Sequence, residues 1–227
     1  MRLHIRCLLI PWVVLCAGGC HKAGPGTDTS PLLFVNASLH DTTVNIYTNG
    51  TLLYPALSFP DSTGYLTTAS PVKQLTLLSE GDTLLSLPPY FTPGKHYSVF
   101  VVDSTSSGGV QVAVMADSLP TLLPGYVSLR FLNFSLSVPN LNLYSASTSQ
   151  YLFTDRYFDQ ADSYATSFTS FPAGVYDLEL QVPGASVAVA TLNGVNLEEG
   201  KAYTFFAKGA IGVPGGYGLG IGMVEHN

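Results

Sequence analysis

The chain has 227 residues and a formal charge of −6, with only 11% charged residues but 22 glycines, 15 prolines and 13 tyrosines. An acidic, weakly charged chain makes a poor partner for nucleic acid or for anionic membrane surfaces. Richness in Gly, Pro, Tyr, Thr and β-branched residues argues for an all-β globular protein and against helices or disorder.

In chain order, the first nineteen residues read as a targeting segment. Arg2, His4 and Arg6 give a basic start, and the apolar run from Cys7 to Ala17 is too short to span a bilayer as a helix. "LCAGGC" follows, with Ala17, Gly18 and Gly19 directly before Cys20, and it resembles the lipobox of bacterial lipoproteins, with alanine where a leucine is usual. The resemblance implies cleavage before Cys20, a lipid on that cysteine, and a protein held at the bacterial cell envelope, in the outer membrane, through the anchor. All three cysteines lie in this segment or at its edge, so the mature chain would carry neither disulfide nor free thiol. It would keep seven basic against fifteen acidic residues, a charge of −8, and 208 residues, ample for cores of its own. "HKAGPGTDTS", residues 21–30, is small and polar, so residues 20–31 read as the lipidated cysteine and a flexible tether.

Beyond the tether the chain says most things twice. "LLFVNAS" at Leu32 to Ser38 echoes "LRFLNFS" at Leu129 to Ser135, and "VNIY" at Val44 to Tyr47 echoes "LNLY" at Leu141 to Tyr144, both 97 residues apart. Phe59 and Tyr65 match Phe158 and Tyr164 at 99, Leu75 and Leu77 match Leu178 and Leu180 at 103, and Gly94-Lys95-His96-Tyr97 matches Gly200-Lys201-Ala202-Tyr203 at 106. An offset that grows in small steps means colinear copies with loop insertions. Residues 32–120 and 125–227 are therefore two homologous domains, parted by a short linker at "LPTLLPG". Alternating apolar patterns predict strands at 32–37, 43–48, 72–79, 83–87, 96–102 and 109–116. Their counterparts are 127–133, 140–145, 174–181, 186–192, 202–208 and 217–224. Six or seven short strands per hundred residues predict two tandem immunoglobulin-like, Greek-key β-sandwiches.

The repeated Gly-Lys-x-Tyr admits two readings. A phosphate site of glycine and lysine lacks the G-x-x-x-x-G-K-[ST] spacing and a following helix. A tyrosine corner fits better, since Tyr97 and Tyr203 each open an apolar strand at a sheet-crossing turn, where a phenol can satisfy upstream backbone. Together with "FVNASLHDTTVNIYTNG", "RFLNFSLSVPNLNLYSAS" and "FPAGVYDLEL", this closing motif resembles the family named domain of unknown function 4397, over nearly all of both copies. The resemblance implies an extracytoplasmic β-sandwich and leaves function open. Members often carry His-Ala-Ser-Pro at the first strand, where this chain has Asn36-Ala37-Ser38 and Asn133-Phe134-Ser135.

Catalytic and metal constellations are not legible. His21, His40, His96 and His226 lack metal-ligand spacing, so no metal or cofactor is expected. There is no G-x-S-x-G, and Ser70-Pro71-Val72-Lys73 precedes a strand and lacks the companion motifs of penicillin-binding enzymes. Asp155, Asp159 and Asp162, with Arg156 among them, read as a solvated loop. Asp-Ser/Thr steps at Asp41, Asp61, Asp82, Asp103 and Asp117 read as turn chemistry and also resemble an acceptor pattern for O-glycosylation. Gly216, Gly218, Gly220 and Gly222 alternate with Tyr217, Leu219, Ile221 and Met223, predicting a last strand whose bare face is crossed closely by a loop or by the other domain. The unrepeated tyrosines Tyr54, Tyr90, Tyr151 and Tyr157 are the candidate ligand contacts. The expected role is thus a non-catalytic, lipid-anchored spacer or protein-interaction module, the alternative being a glycan-binding lipoprotein accessory to nutrient uptake.

Overall fold

The computed structural model describes residues 29–68, 71–104, 108–158 and 167–226. The leader, Cys20, the tether to residue 28, Ser70, Asp159, Asp162 and Tyr164 lie outside them. Eight strands form the first unit: β1 (Pro31–Asn36), β2 (Thr43–Thr48), β3 (Thr51–Ser58), β4 (Ser62–Thr67), β5 (Leu75–Ser79), β6 (Asp82–Leu87), β7 (Tyr97–Asp103) and β8 (Val110–Ala116). Eight more form the second: β9 (Tyr126–Asn133), β10 (Asn140–Ser145), β11 (Gln150–Tyr157), β12 (Thr169–Pro172), β13 (Gly174–Gln181), β14 (Ala188–Leu197), β15 (Ala202–Lys208) and β16 (Gly220–His226).

The sheets run β4-β1-β7-β8 and β3-β2-β5-β6 in the first unit, β12-β9-β15-β16 and β11-β10-β13-β14 in the second. Strand for strand the second set repeats the first, down to the parallel pairs β1 with β7 and β9 with β15. The all-β tandem sandwich predicted from turn spacing is what the chain adopts, with eight strands per unit where the pattern predicted six or seven. The additional strands are β3 and β4 with their counterparts β11 and β12, all on sheet edges. Edge strands need not alternate cleanly. Pro55 stands inside β3 beside Ala56 at φ 48°, and β4 is largely polar, so neither carries the period-2 signal.

Each unit closes its own core. In the first, Leu32 and Phe34 of β1 and Val99 and Val101 of β7 meet Val44, Ile46, Leu75 and Leu77 of the facing sheet. In the second, Leu129, Phe131, Tyr203 and Phe205 meet Leu141, Leu143, Leu178 and Leu180. The strands β1, β7, β9 and β15 are buried along almost their whole length, which a two-layer sandwich facing water would not require. Their alternate residues belong to a third core. Leu33, Val35, Phe100, Val102, Ala113 and Met115 of the first unit pack against Leu132, Phe134, Phe206 and Val224 of the second. The two sandwiches are therefore joined face to face into four stacked sheets, and "LPTLLPG" links units that share a core.

Candidate functional site

A hydrogen-bonded group of buried polar and charged side chains lies in this joint. Phe100, Phe134 and Phe206 form its apolar centre, with ring centroids 4.9, 5.7 and 6.4 Å apart. Gly222 makes room for it, because a Cβ there would stand 2.2 Å from the Phe206 ring. The glycine alternation in the sequence thus marks a bare face, as predicted, though its cover at Gly222 is the ring of the adjoining strand. Gly215–Tyr217 is a 3-10 turn, and β16 starts only at Gly220.

Beside the phenylalanines, Arg130 of β9 lies fully buried and donates from Nη2 to Asp117 Oδ1 at 2.8 Å. Asp117, just past β8, also accepts at Oδ2 from Ser98 Oγ at 2.8 Å and from the Tyr65 hydroxyl at 2.7 Å. Tyr65 has one proton and gives it to the carboxylate, so its contact with His226 Nδ1 at 2.9 Å must be a bond it accepts. His226 therefore carries its proton on Nδ1, and its Nε2 accepts from Thr204 Oγ1 at 2.7 Å. Thr204 in turn accepts from Arg130 Nε at 3.0 Å, which closes the ring of bonds. Phe168 covers the assembly, 4.5 Å from the guanidinium and edge-on to His226.

This proton assignment works only with a neutral imidazole. Burial drives the His226 pKa down to about 4, the Asp117 charge opposing and the Arg130 charge reinforcing the shift. Burial and then the charge of Asp117 hold the Tyr65 phenol well above its ordinary value, so it remains a donor. Burial likewise pushes Arg130 down, against the pull of Asp117. The Asp117 and His226 side chains are 0% exposed, so the network ties the two sheets together behind a closed surface.

The Gly-Lys-x-Tyr motifs are turns with a phenolic tie. Gly94 at φ 74° and Gly200 at φ 80° adopt the left-handed conformation glycine favours, and their N–H groups bond Thr29 and Tyr126 carbonyls at the entry to each first strand. Tyr97 Oη accepts from Thr92 N–H at 3.0 Å and Tyr203 Oη from Glu198 N–H at 3.1 Å, five residues back in both copies. Lys201 pairs with Glu198 at 3.0 Å and Glu225 at 2.8 Å, which places two carboxylates where a phosphate site would need vacant donors. Tyr203→Phe should cost about 1 kcal/mol by leaving the Glu198 N–H without its acceptor. A urea titration against wild type checks this, and an unchanged midpoint would remove the role.

The Asn-x-Ser steps at the first strands are also structural. Asn36 Nδ2 donates to Asp41 and Leu57 carbonyls while Oδ1 accepts Ser38 N–H. Asn133 does the same with Val138, Arg156 and Ser135. Arg156 is 4% exposed within β11, with its guanidinium 5.3 Å from the Phe153 ring, so the solvated-loop reading fails for it: an aromatic neighbour shelters it. Among the described residues no three His, Cys, Asp or Glu come together as a metal site. Of the Asp-Ser/Thr hydroxyls, Ser62, Thr83 and Ser118 are exposed and Ser104 is buried.

The four candidate tyrosines are scattered. Tyr54 packs half-buried against the first core, Tyr90 stands 87% exposed between β6 and β7, and Tyr157 ends β11. Tyr151 is half exposed and lies beside a second tyrosine ring, Tyr144, at 5.0 Å.

Sequence reading did not find the buried network, although one signal was available. At the 97-residue offset Arg130 stands where the first copy has Leu33, a full charge on an otherwise apolar strand. A family model described as a domain of unknown function, number 4397, matches residues 30–144. That is 115 of the 227 residues, covering the whole first sandwich with β9 and all of β10 but Ser145. No curated protein matches the chain.

Proposed function

Because the chain belongs to the family of domain of unknown function 4397, whose description names no activity, we propose its role from the joint between its sandwiches: a rigid, non-catalytic spacer or protein-interaction module of the bacterial cell envelope. In this reading the second sandwich is a further copy of the family domain, and the mature chain hangs from the outer membrane by a lipid on Cys20. The observation that carries it is the third core. Each unit contributes the same face of the equivalent sheet, as subunits do in an isologous dimer, and the shared core fixes the angle between them. A module that must hold a partner at a set distance gains from such a joint. In the titratable group closest to a reaction centre, Asp117, Arg130 and His226 are fully buried in this joint, with their hydrogen bonds committed to one another and to the half-buried Tyr65.

Two measurements test the reading. Small-angle scattering of the full chain should give one compact particle, whose maximum dimension is unchanged when a flexible Gly-Ser insert lengthens residues 119–125; a growing dimension would mean independent domains. Cells fed an alkynyl fatty acid should label the wild-type protein, and Cys20→Ser should abolish the label. Equal labelling of both would dismiss the anchor and leave the joint untouched.

A further inference from the structure

The outer face of β11-β10-β13-β14 carries chemistry that its counterpart in the first unit lacks. Strand pairing sets the comparison: Tyr144 faces Tyr151 and Glu179, whereas Tyr47 faces Leu52 and Thr76. One step along, Asn142 faces Gln181 where Asn45 faces Leu78. Duplication holds the scaffold constant, so the change from Leu, Thr and Leu to Tyr, Glu and Gln is not explained by the needs of the sheet.

The same face is walled by two of the turns that are longer in the second copy. The β10–β11 turn has four residues, 146–149, against Asn49-Gly50 in the first unit, and the β13–β14 turn has six, 182–187, against Glu80-Gly81. Ser149 in the first of these sits at φ 53°, a left-handed conformation uncommon for serine, and Ser186 comes from the second. With Tyr144, Tyr151, Glu179 and Gln181 they surround an open hollow of about 600 Å³.

Its polar groups are ordered. Tyr151 Oη donates to Gln181 Oε1 at 3.0 Å, and Gln181 Nε2 donates to Glu179 Oε2 at 2.8 Å. Gln181 is 4% exposed, so this relay is fixed from beneath. It turns the phenol proton and a carboxamide proton inward and ends on a carboxylate, so it offers a ligand acceptors, while Ser149 and Ser186 add hydroxyls that donate or accept. The rings of Tyr144 and Tyr151 meet at 62°, edge to face. That arrangement presents one stacking face, whereas a cage for an ammonium group needs several faces turned to one point.

One aromatic face, a line of acceptors and two hydroxyls match a ring with apolar C–H on one side and hydroxyls around its rim. We propose that this hollow binds one pyranose unit of a neutral glycan, with Tyr151 as stacking platform, Glu179 as hydroxyl acceptor and Gln181 holding both in place. The site stands apart from the interdomain joint, so its failure would leave the spacer reading intact.

An array of neutral glucans, mannans, xylans and galactans beside amino and acidic glycans, probed with the full chain and followed by calorimetry on any binder, tests the site. At least one neutral glycan should bind. Tyr151→Ala and Glu179→Ala should each weaken it about tenfold or more, the loss of one well-made contact. Leu52→Ala, at the matching position of the first sandwich, should leave it unchanged. Should Tyr151→Ala fold poorly by circular dichroism, Tyr151→Phe decides, since it keeps the ring and should retain most of the affinity while Glu179→Ala does not. An array with no neutral binder, binding only to amino or acidic sugars, or a binder indifferent to both alanine variants would overturn the proposal.

Discussion

Asp117→Ala should destabilise the folded chain by about 3–5 kcal/mol and lower its melting temperature by roughly 10 °C. The carboxylate pairs with the Arg130 guanidinium at 2.8 Å, and both side chains are 0% exposed. Its loss leaves a guanidinium in a sheltered site and removes the acceptor of Ser98 and Tyr65. The cost of an orphaned buried charge far exceeds the net worth of the pair, so the double variant Asp117→Leu with Arg130→Met should recover most of the loss. Because the pair bridges the two sandwiches, the single variant should also split one unfolding transition into two when followed by calorimetry. A single transition displaced by less than about 1 kcal/mol would show that the joint draws nothing from this network.

Much of this architecture is legible in the sequence because duplication is legible. The stepwise offsets locate both sandwiches and the strands of their cores, and the growth from 97 to 99 corresponds to the two residues by which the 146–149 turn exceeds Asn49-Gly50. What stays hidden follows from physics. Edge strands such as β3 and β12 have no obligation to alternate, so no period reports them. The third core hides for another reason: β1 and β7 read as continuous apolar runs, and such a run does not say which neighbour covers its second face. Asp117 lies in an Asp-Ser step that reads as turn chemistry, and its meaning appears only when Arg130, thirteen residues away, folds back on it. The hollow at Tyr151 is half visible. Tyr151 stands out as unrepeated, but Glu179 and Gln181 gain significance only through strand register.

The second large effect concerns pH. His226 is neutral in the folded chain because burial and the neighbouring Arg130 hold its pKa at about 4, against 6.5 when unfolded. Between those values the unfolded chain binds one more proton than the folded one, so stability rises with pH across this window and falls on acidification. The slope is at most about 1.4 kcal/mol per pH unit, and the accumulated loss from pH 6.5 down to pH 4 is on the order of 3 kcal/mol. Above pH 6.5 this contribution is complete and constant. Protonation inside the fold would place an N–H against Thr204, whose hydroxyl already accepts from Arg130, and would add a second cation to a sealed site. His226→Gln keeps a donor and an acceptor but has no proton to bind. Urea unfolding of the two proteins at half-unit steps from pH 7.5 to 4 should therefore give curves that converge toward acid, the wild type losing stability faster. Carboxylates are common to both chains and cancel in the difference, and His40 and His96 lie at exposed positions. Parallel curves throughout would mean that His226 already carries a second proton in the folded chain, and the bond assigned between Thr204 and Nε2 would have to be reversed, the hydroxyl accepting.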